Sequence, residues 1–182
     1  MLLGAVLSIP DVGQIDAFAE PWRRLYAQSP LLSTLILFGH LGGLFAAGGL
    51  TVAADRATLR LDPSDEVDRR RHLSDLARLQ RPVWIAFVIA LISGVLLFLA
   101  DVEAFALSRI FWTKMTLVAL LIANSLFTAR LDATLRREAS AAAEHSRDEL
   151  GAIRWRRRRI GAAASALLWF GLVLVGTALA SH

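Results

Sequence analysis

The sequence predicts an all-α integral membrane protein, a four-helix bundle with helical cytoplasmic extensions. Three observations carry this reading. Hydrophobic residues make up 55% of the 182-residue chain, against about 45–50% in a typical soluble domain. The excess falls in four blocks of roughly 20 residues, the length a helix needs to cross about 30 Å of hydrocarbon. Nearly all the charge lies between those blocks, and most of the arginines lie in two of the connections.

Residues 1–30 form an interfacial N-terminal segment, and residues 31–180 the transmembrane domain. The opening Met1 to Pro10 is short and has no basic stretch ahead of its apolar run, so it makes a poor signal peptide. Phe18, Trp22, Leu25 and Tyr26 are expected to face lipid headgroups, a layer that favours tryptophan and tyrosine.

The first span is 31–54. Ser29-Pro30 supplies its start signal, with proline at an early helical position where a missing N–H costs nothing. The helix is expected to run on through Asp55 to Arg60. Asp62-Pro63 then stops it and opens the next, with Asp62 as N-cap and Asp65 and Glu66 in the first turn. Residues 64–81 have the pattern of an amphipathic helix, with Val67, Leu73, Leu76 and Leu79 on its apolar side. The second span, 83–100, is entered through Arg81-Pro82 and followed by a short acidic loop with Asp101 and Glu103.

The third span is 110–127, with Lys114 near one end and Asn124 near the other. A charged stretch, 128–159, opens with helical Leu131 and Leu135 and breaks near Gly151. It closes with Arg154-Trp155-Arg156-Arg157-Arg158-Arg159, whose plain reading is a membrane-surface anchor. The fourth span is 160–180.

Arginine placement sets the topology. The first-to-second and third-to-fourth connections carry most of the arginines, whereas the opposite side has Arg23, Arg24 and Arg109. The positive-inside rule places both termini outside, which for a bacterial inner membrane is the periplasm. The net charge of +4 is thereby a matter of topology, and nucleic acid is not an expected partner; the lipid bilayer is. The chain has no cysteine, which excludes disulfides, thiolate metal sites, iron–sulfur clusters and covalent c-type haem. Its two methionines, Met1 and Met115, are too few for a methionine-rich Cu(I) site. Phosphate loops, dinucleotide fingerprints, His-Glu-x-x-His and serine or cysteine triads are absent.

One ionisable residue stands out. His40 lies inside the first span, roughly ten residues or about 14 Å of helical rise from its outer end, and an ionisable side chain at such depth is a functional candidate by default. It sits in Gly39-His40-Leu41-Gly42-Gly43-Leu44, with Gly48-Gly49 following. The small residues Gly39 and Gly43 have two readings: close approach of a neighbouring helix, with His40 hydrogen-bonded across it, or room for a flat macrocycle. Lys114, near the outer end of the third span, also has two. It snorkels or pairs with Asp101 or Glu103, or it is a buried amine free to ligate a metal. His72 and His145 belong to charged surface helices, and His182 is terminal. Asn124 and Ser125 are expected to bond between helices.

The runs His-Leu-Gly-Gly-Leu (40–44), Ser-Gly-Val-Leu-Leu (93–97) and Phe-Trp-Thr-Lys-Met-Thr-Leu (111–117) resemble the CopD-like four-helix membrane domain, over about residues 31–180. A histidine in the first helix with a lysine opening the third also resembles the HemJ-type proteins. In that family such a pair is associated with b-type haem, which implies His40 and Lys114 as ligands here. That family's tryptophan–aromatic–alanine–glycine run and its acidic motif near the last helix are not found, so the resemblance implies haem rather than porphyrinogen oxidation.

The leading expectation is therefore a haem b-binding or redox-associated membrane subunit, favoured over a stand-alone enzyme. His40 and Lys114 would be its ligands and a quinone or an outer protein its electron partner. The alternatives are a non-catalytic accessory subunit packing against other membrane subunits through its glycine faces, and CopD-like copper handling with His40 on the ion path.

Overall fold

The structure, a computed structural model, describes residues 12–62, 65–140 and 148–180, with side chains described at 18–62, 65–138 and 151–179. The expectations for Met1 to Pro10, Pro63, His145 and His182 lie outside these residues. The described residues form six helices and no strand: α1 (Val12–Gln28), α2 (Pro30–Arg60), α3 (Glu66–Ala100), α4 (Val102–Ala106), α5 (Arg109–Ser140) and α6 (Asp148–Ala180).

Local sequence explains the helix ends. Ser29 is the N-cap of α2, its hydroxyl accepting from the Leu32 amide at 3.4 Å, with Pro30 in the first turn. The helix then runs unbroken through the span to Arg60. The cap of α3 is Asp65 rather than Asp62. Asp65 has the extended backbone a cap needs and accepts from the Asp68 amide at 3.0 Å. Asp101 closes α3 and caps α4, accepting from the Ala104 amide, so the acidic loop holds a helical turn.

The expected amphipathic helix and second span are one helix. Pro82 sits inside α3 without ending it. A proline there costs about 3 kcal/mol, and the long apolar span packed against α2 outweighs it. Val67 is 72% exposed and not on the apolar side. Six residues place it about 120° around the helix from Leu73, and Leu73 and Leu76 set the buried face. Gly151 lies within α6 rather than at a break.

α2, α3, α5 and α6 are each long and apolar enough to cross a membrane. They close a ring in which α2 packs along α3 and α6, and α5 packs along α6. α3 and α5 touch lightly, and α2 and α5 face each other across the diagonal. The inward stripe is clearest on α6, where Trp155, Arg158, Ala162, Ser165, Trp169 and Leu172 are all buried. Their alternating spacing of three and four is the seam of a left-handed bundle. Trp169 and Leu172 join Ala47, Ala86 and Leu121 in one core cluster. Leu73, Leu76, Leu135 and Trp155 form a second, at the arginine-rich end.

Small residues let the backbones meet. A Cβ on Gly43 would lie 2.7 Å from the Ala86 carbonyl oxygen, and one on Gly48 3.0 Å from the Trp169 ring. Large apolar side chains cover the outside, Phe45 at 85% exposure and Leu167 at 73%. That surface has no place in water and is what lipid contact requires.

α1 docks at the other end of the bundle, against α2, α3 and α4. Trp22 donates from Nε1 to the Leu96 carbonyl at 2.9 Å, so it is anchored on protein, while Phe18 and Leu25 are exposed. The Arg24 and Arg23 guanidinium groups pair with Glu20 and hold its carboxyl below its ordinary value.

Candidate functional site

His40 lies on the inner stripe of α2, in register with Ile36, Gly43 and Ala47. Its Nδ1 is 2.8 Å from the Ala90 carbonyl oxygen of α3. A carbonyl only accepts, so Nδ1 carries the proton and donates, which leaves Nε2 with a free lone pair. Metal-ligating histidines are oriented in this way, one ring nitrogen held by a backbone carbonyl and the other presented. The ring has space because residue 94 is glycine: a Cβ there would lie 3.0 Å from Cε1 and 3.2 Å from Nδ1. Ser93 also donates to the Ala90 carbonyl, at 3.1 Å.

Gly39 and Gly43 both face α3. Space at Gly39 is ordinary, with Ile89 and Ser93 at 3.9 Å from its would-be Cβ, and at Gly43 the α3 backbone fills it. The first expectation, close helix approach with His40 bonded across the contact, is what the geometry displays. A flat group at His40 would not lie over Gly43.

Lys114 falls on the inner stripe of α5, seven residues before the buried Leu121. It is half-buried, and no carboxylate among the described residues pairs with it. The α1 end of the bundle thus holds an imidazole nitrogen and an amine on diagonal helices. No group of three or more metal-binding His, Asp or Glu side chains occurs among the described residues.

The arginine-rich end holds a buried ion-pair network that the sequence reading did not anticipate. Arg158 on α6 is 4% exposed; its Nε donates to Asp132 of α5 at 2.7 Å and its Nη1 to Asp55 of α2 at 3.4 Å. Ser165 is one turn pair further along the same face. These residues line a cavity of about 110 Å³ whose wall comes mostly from α3 and α5. The arginine run therefore divides by helical phase: Trp155 and Arg158 point inward, Arg156 and Arg157 are exposed, and Arg159 reaches the Leu59 carbonyl at 3.0 Å. One signal was available, a lone carboxylate, Asp55, ending 24 residues of uncharged or weakly polar span with no charged neighbour before it but His40.

His72 belongs to this end and is not a solvated surface residue. Its Nε2 lies 2.8 Å from the Thr58 hydroxyl, and its ring meets Trp155 edge-on. Asn124 bonds between helices as expected, donating to the Gly161 carbonyl at 3.0 Å.

Fold and sites together define an integral membrane protein of four spanning helices with polar groups at both ends of its interior. No family model, curated protein or solved structure matches the chain.

Proposed function

We propose that the protein is a bacterial inner-membrane redox subunit that binds a b-type haem through His40, with Lys114 as the second ligand. In this reading the arginine-rich end faces the cytoplasm and both termini the periplasm. The observation that carries it is the orientation of His40: Nδ1–H is committed to the Ala90 carbonyl, so Nε2 is the ligating nitrogen. An imidazole nitrogen is a haem-iron ligand in chemical kind, and Lys114 brings an amine with no carboxylate partner among the described residues to the same end of the bundle. Bound there, haem would supply one-electron exchange, and electrons would pass to or from a quinone or a protein at the periplasmic face.

The test is an absorption spectrum of the protein purified in mild detergent, before and after dithionite. A Soret band with reduced α and β bands, lost in His40→Ala, is the expected result. A flat visible spectrum from protein that has kept its lipids overturns the reading.

A second reading is a non-catalytic accessory subunit. It is favoured by Gly42 and Gly49, two turns apart on α2, where a Cβ would meet nothing within 4 Å. Such an open small-residue face admits another membrane helix. Stoichiometric co-purification with other membrane subunits, lost in Gly42→Leu, is its expected result; a monomer in mild detergent counts against it.

A further inference from the structure

We propose that the cavity at the arginine-rich end is a binding site for a neutral, ring-headed amphiphile of the quinol class, with its hydroxyl on Asp55. The site stands on its own geometry; the choice of a quinol among such molecules rests on the redox reading above.

Two neighbouring buried polar atoms in the cavity wall have only each other at hand and fall short of hydrogen-bonding geometry. Asp55 is 4% exposed and Ser165 3%, and both line the cavity. The Ser165 hydroxyl stands beside the Asp55 carboxyl, yet neither it nor Asp55 Oδ2 completes a hydrogen bond. Arg158 engages only Oδ1 of Asp55, at 3.4 Å, and holds Asp132 more closely. Leaving a buried polar atom without a full hydrogen bond is costly, and a ligand able to donate to Oδ2 and accept from Ser165 would recover that cost. A hydroxyl does both.

The charge of the ligand follows from the rest of the wall. Asp55 and Asp132 oppose an anion, and Arg158 and Arg136, which line the same cavity, oppose a cation. A neutral head meets neither objection.

Its shape follows from the apolar lining. Trp84 and Phe87 meet edge to face at 5.9 Å, and Trp169 also lines the cavity. Such surfaces suit a flat ring. The volume of about 110 Å³ is of the same order as the ~150 Å³ cavities that take up benzene. α3 and α5, which supply most of the wall, touch lightly, so a hydrocarbon tail has a lateral way into lipid. The polar atoms lie where the apolar stretches of α2 and α6 give way to charge, the depth at which an amphiphile places its head.

The experiment is a titration of the full-length protein in detergent with decylubiquinol, followed by tryptophan fluorescence, since Trp84 and Trp169 line the cavity. Saturable quenching is expected, diminished in Trp84→Phe. Asp55→Asn should weaken affinity by about ten-fold. Ser165→Ala, which leaves the Arg158 ion pairs intact, should weaken it several-fold, and it decides the matter if Asp55→Asn does not fold. Quenching that rises linearly and equally in all variants is partition into the micelle and overturns the site. Equal, Asp55-dependent quenching by decyltrimethylammonium overturns the quinol class in favour of a cation. A colourless protein with saturable, Asp55-dependent quenching upholds the site while removing the haem reading. A coloured one with linear quenching removes the site alone.

Discussion

Arg158 donates to Asp132 at 2.7 Å across 26 residues of sequence, inside the bundle, and the same guanidinium reaches Asp55 at 3.4 Å. One buried cation thereby ties three of the four spanning helices together. Removing Arg158 leaves two buried carboxylates without their cation, at about 3–5 kcal/mol, whereas removing one aspartate leaves the other still paired. Arg158→Met should be the most destabilising change, Asp132→Asn the next and Asp55→Asn the mildest, in the order of the bond lengths. Thermal unfolding in a single detergent measures the ranking. Equal losses for the two aspartate variants would contradict it.

Gly43 and Gly42 are adjacent but should respond unequally to the same substitution. A Cβ at Gly43 strikes the α3 backbone at 2.7 Å, and one at Gly42 meets nothing. Gly43→Ala should cost about 1–3 kcal/mol by forcing α2 from α3. Gly42→Ala should stay within about 0.5 kcal/mol of the parent. Unfolding midpoints of the pair check this directly.

Gly94→Ala should displace the His40 ring from the Ala90 carbonyl, because the new methyl would lie 3.0 Å from Cε1. Loss of the hydrogen bond alone is worth about 0.5–1.5 kcal/mol. In protein carrying a His40-bound chromophore, the same variant should shift the visible bands without abolishing them, unlike His40→Ala. An unchanged spectrum would separate His40 from the chromophore.

The α1 helix itself should lose a little stability in acid, because Glu20, Arg23 and Arg24 all lie on it. Glu20 is held below its ordinary value of 4.5 by Arg24 and Arg23. A carboxyl whose folded pKa is depressed contributes stability above its unfolded pKa and loses it as pH falls through the folded one. The pairs are exposed and the effect is small. Comparing wild type with Glu20→Gln through the carboxylate range isolates it. The difference between them should vanish at the acid end, and a constant difference would refute the coupling.

The four spans and their helical extensions could be read from the sequence because length and apolarity alone decide what crosses a bilayer. Ser29-Pro30 and the run-on from Asp55 to Arg60 were equally plain. The cap at Asp65 differs by three residues from the expected Asp62 because four acidic residues, Asp62, Asp65, Glu66 and Asp68, crowd that turn. The continuity of α3 was hidden by Pro82, a breaker by local rule that tertiary packing overrides. His40 was visible through its depth. The Arg158 network was not, because arginines at a span's end have a sufficient explanation in topology. Only the phase of Trp155, Arg158, Ala162 and Ser165 along α6 separates the inward arginine from its outward neighbours.

α3 is a single helix of 35 residues, about 52 Å at 1.5 Å per residue, against hydrocarbon of about 30 Å. α5, with 32 residues, overshoots in the same direction. The molecule is therefore lopsided: one side ends in the docked α1 and the short α4, while the other carries a helical stalk standing roughly 20 Å clear of the hydrocarbon. Helical flanks, continuous with the spans, are what a soluble protein approaching from the stalk side would touch. The exposed flank and the Ala90 carbonyl that holds His40 belong to one continuous helix.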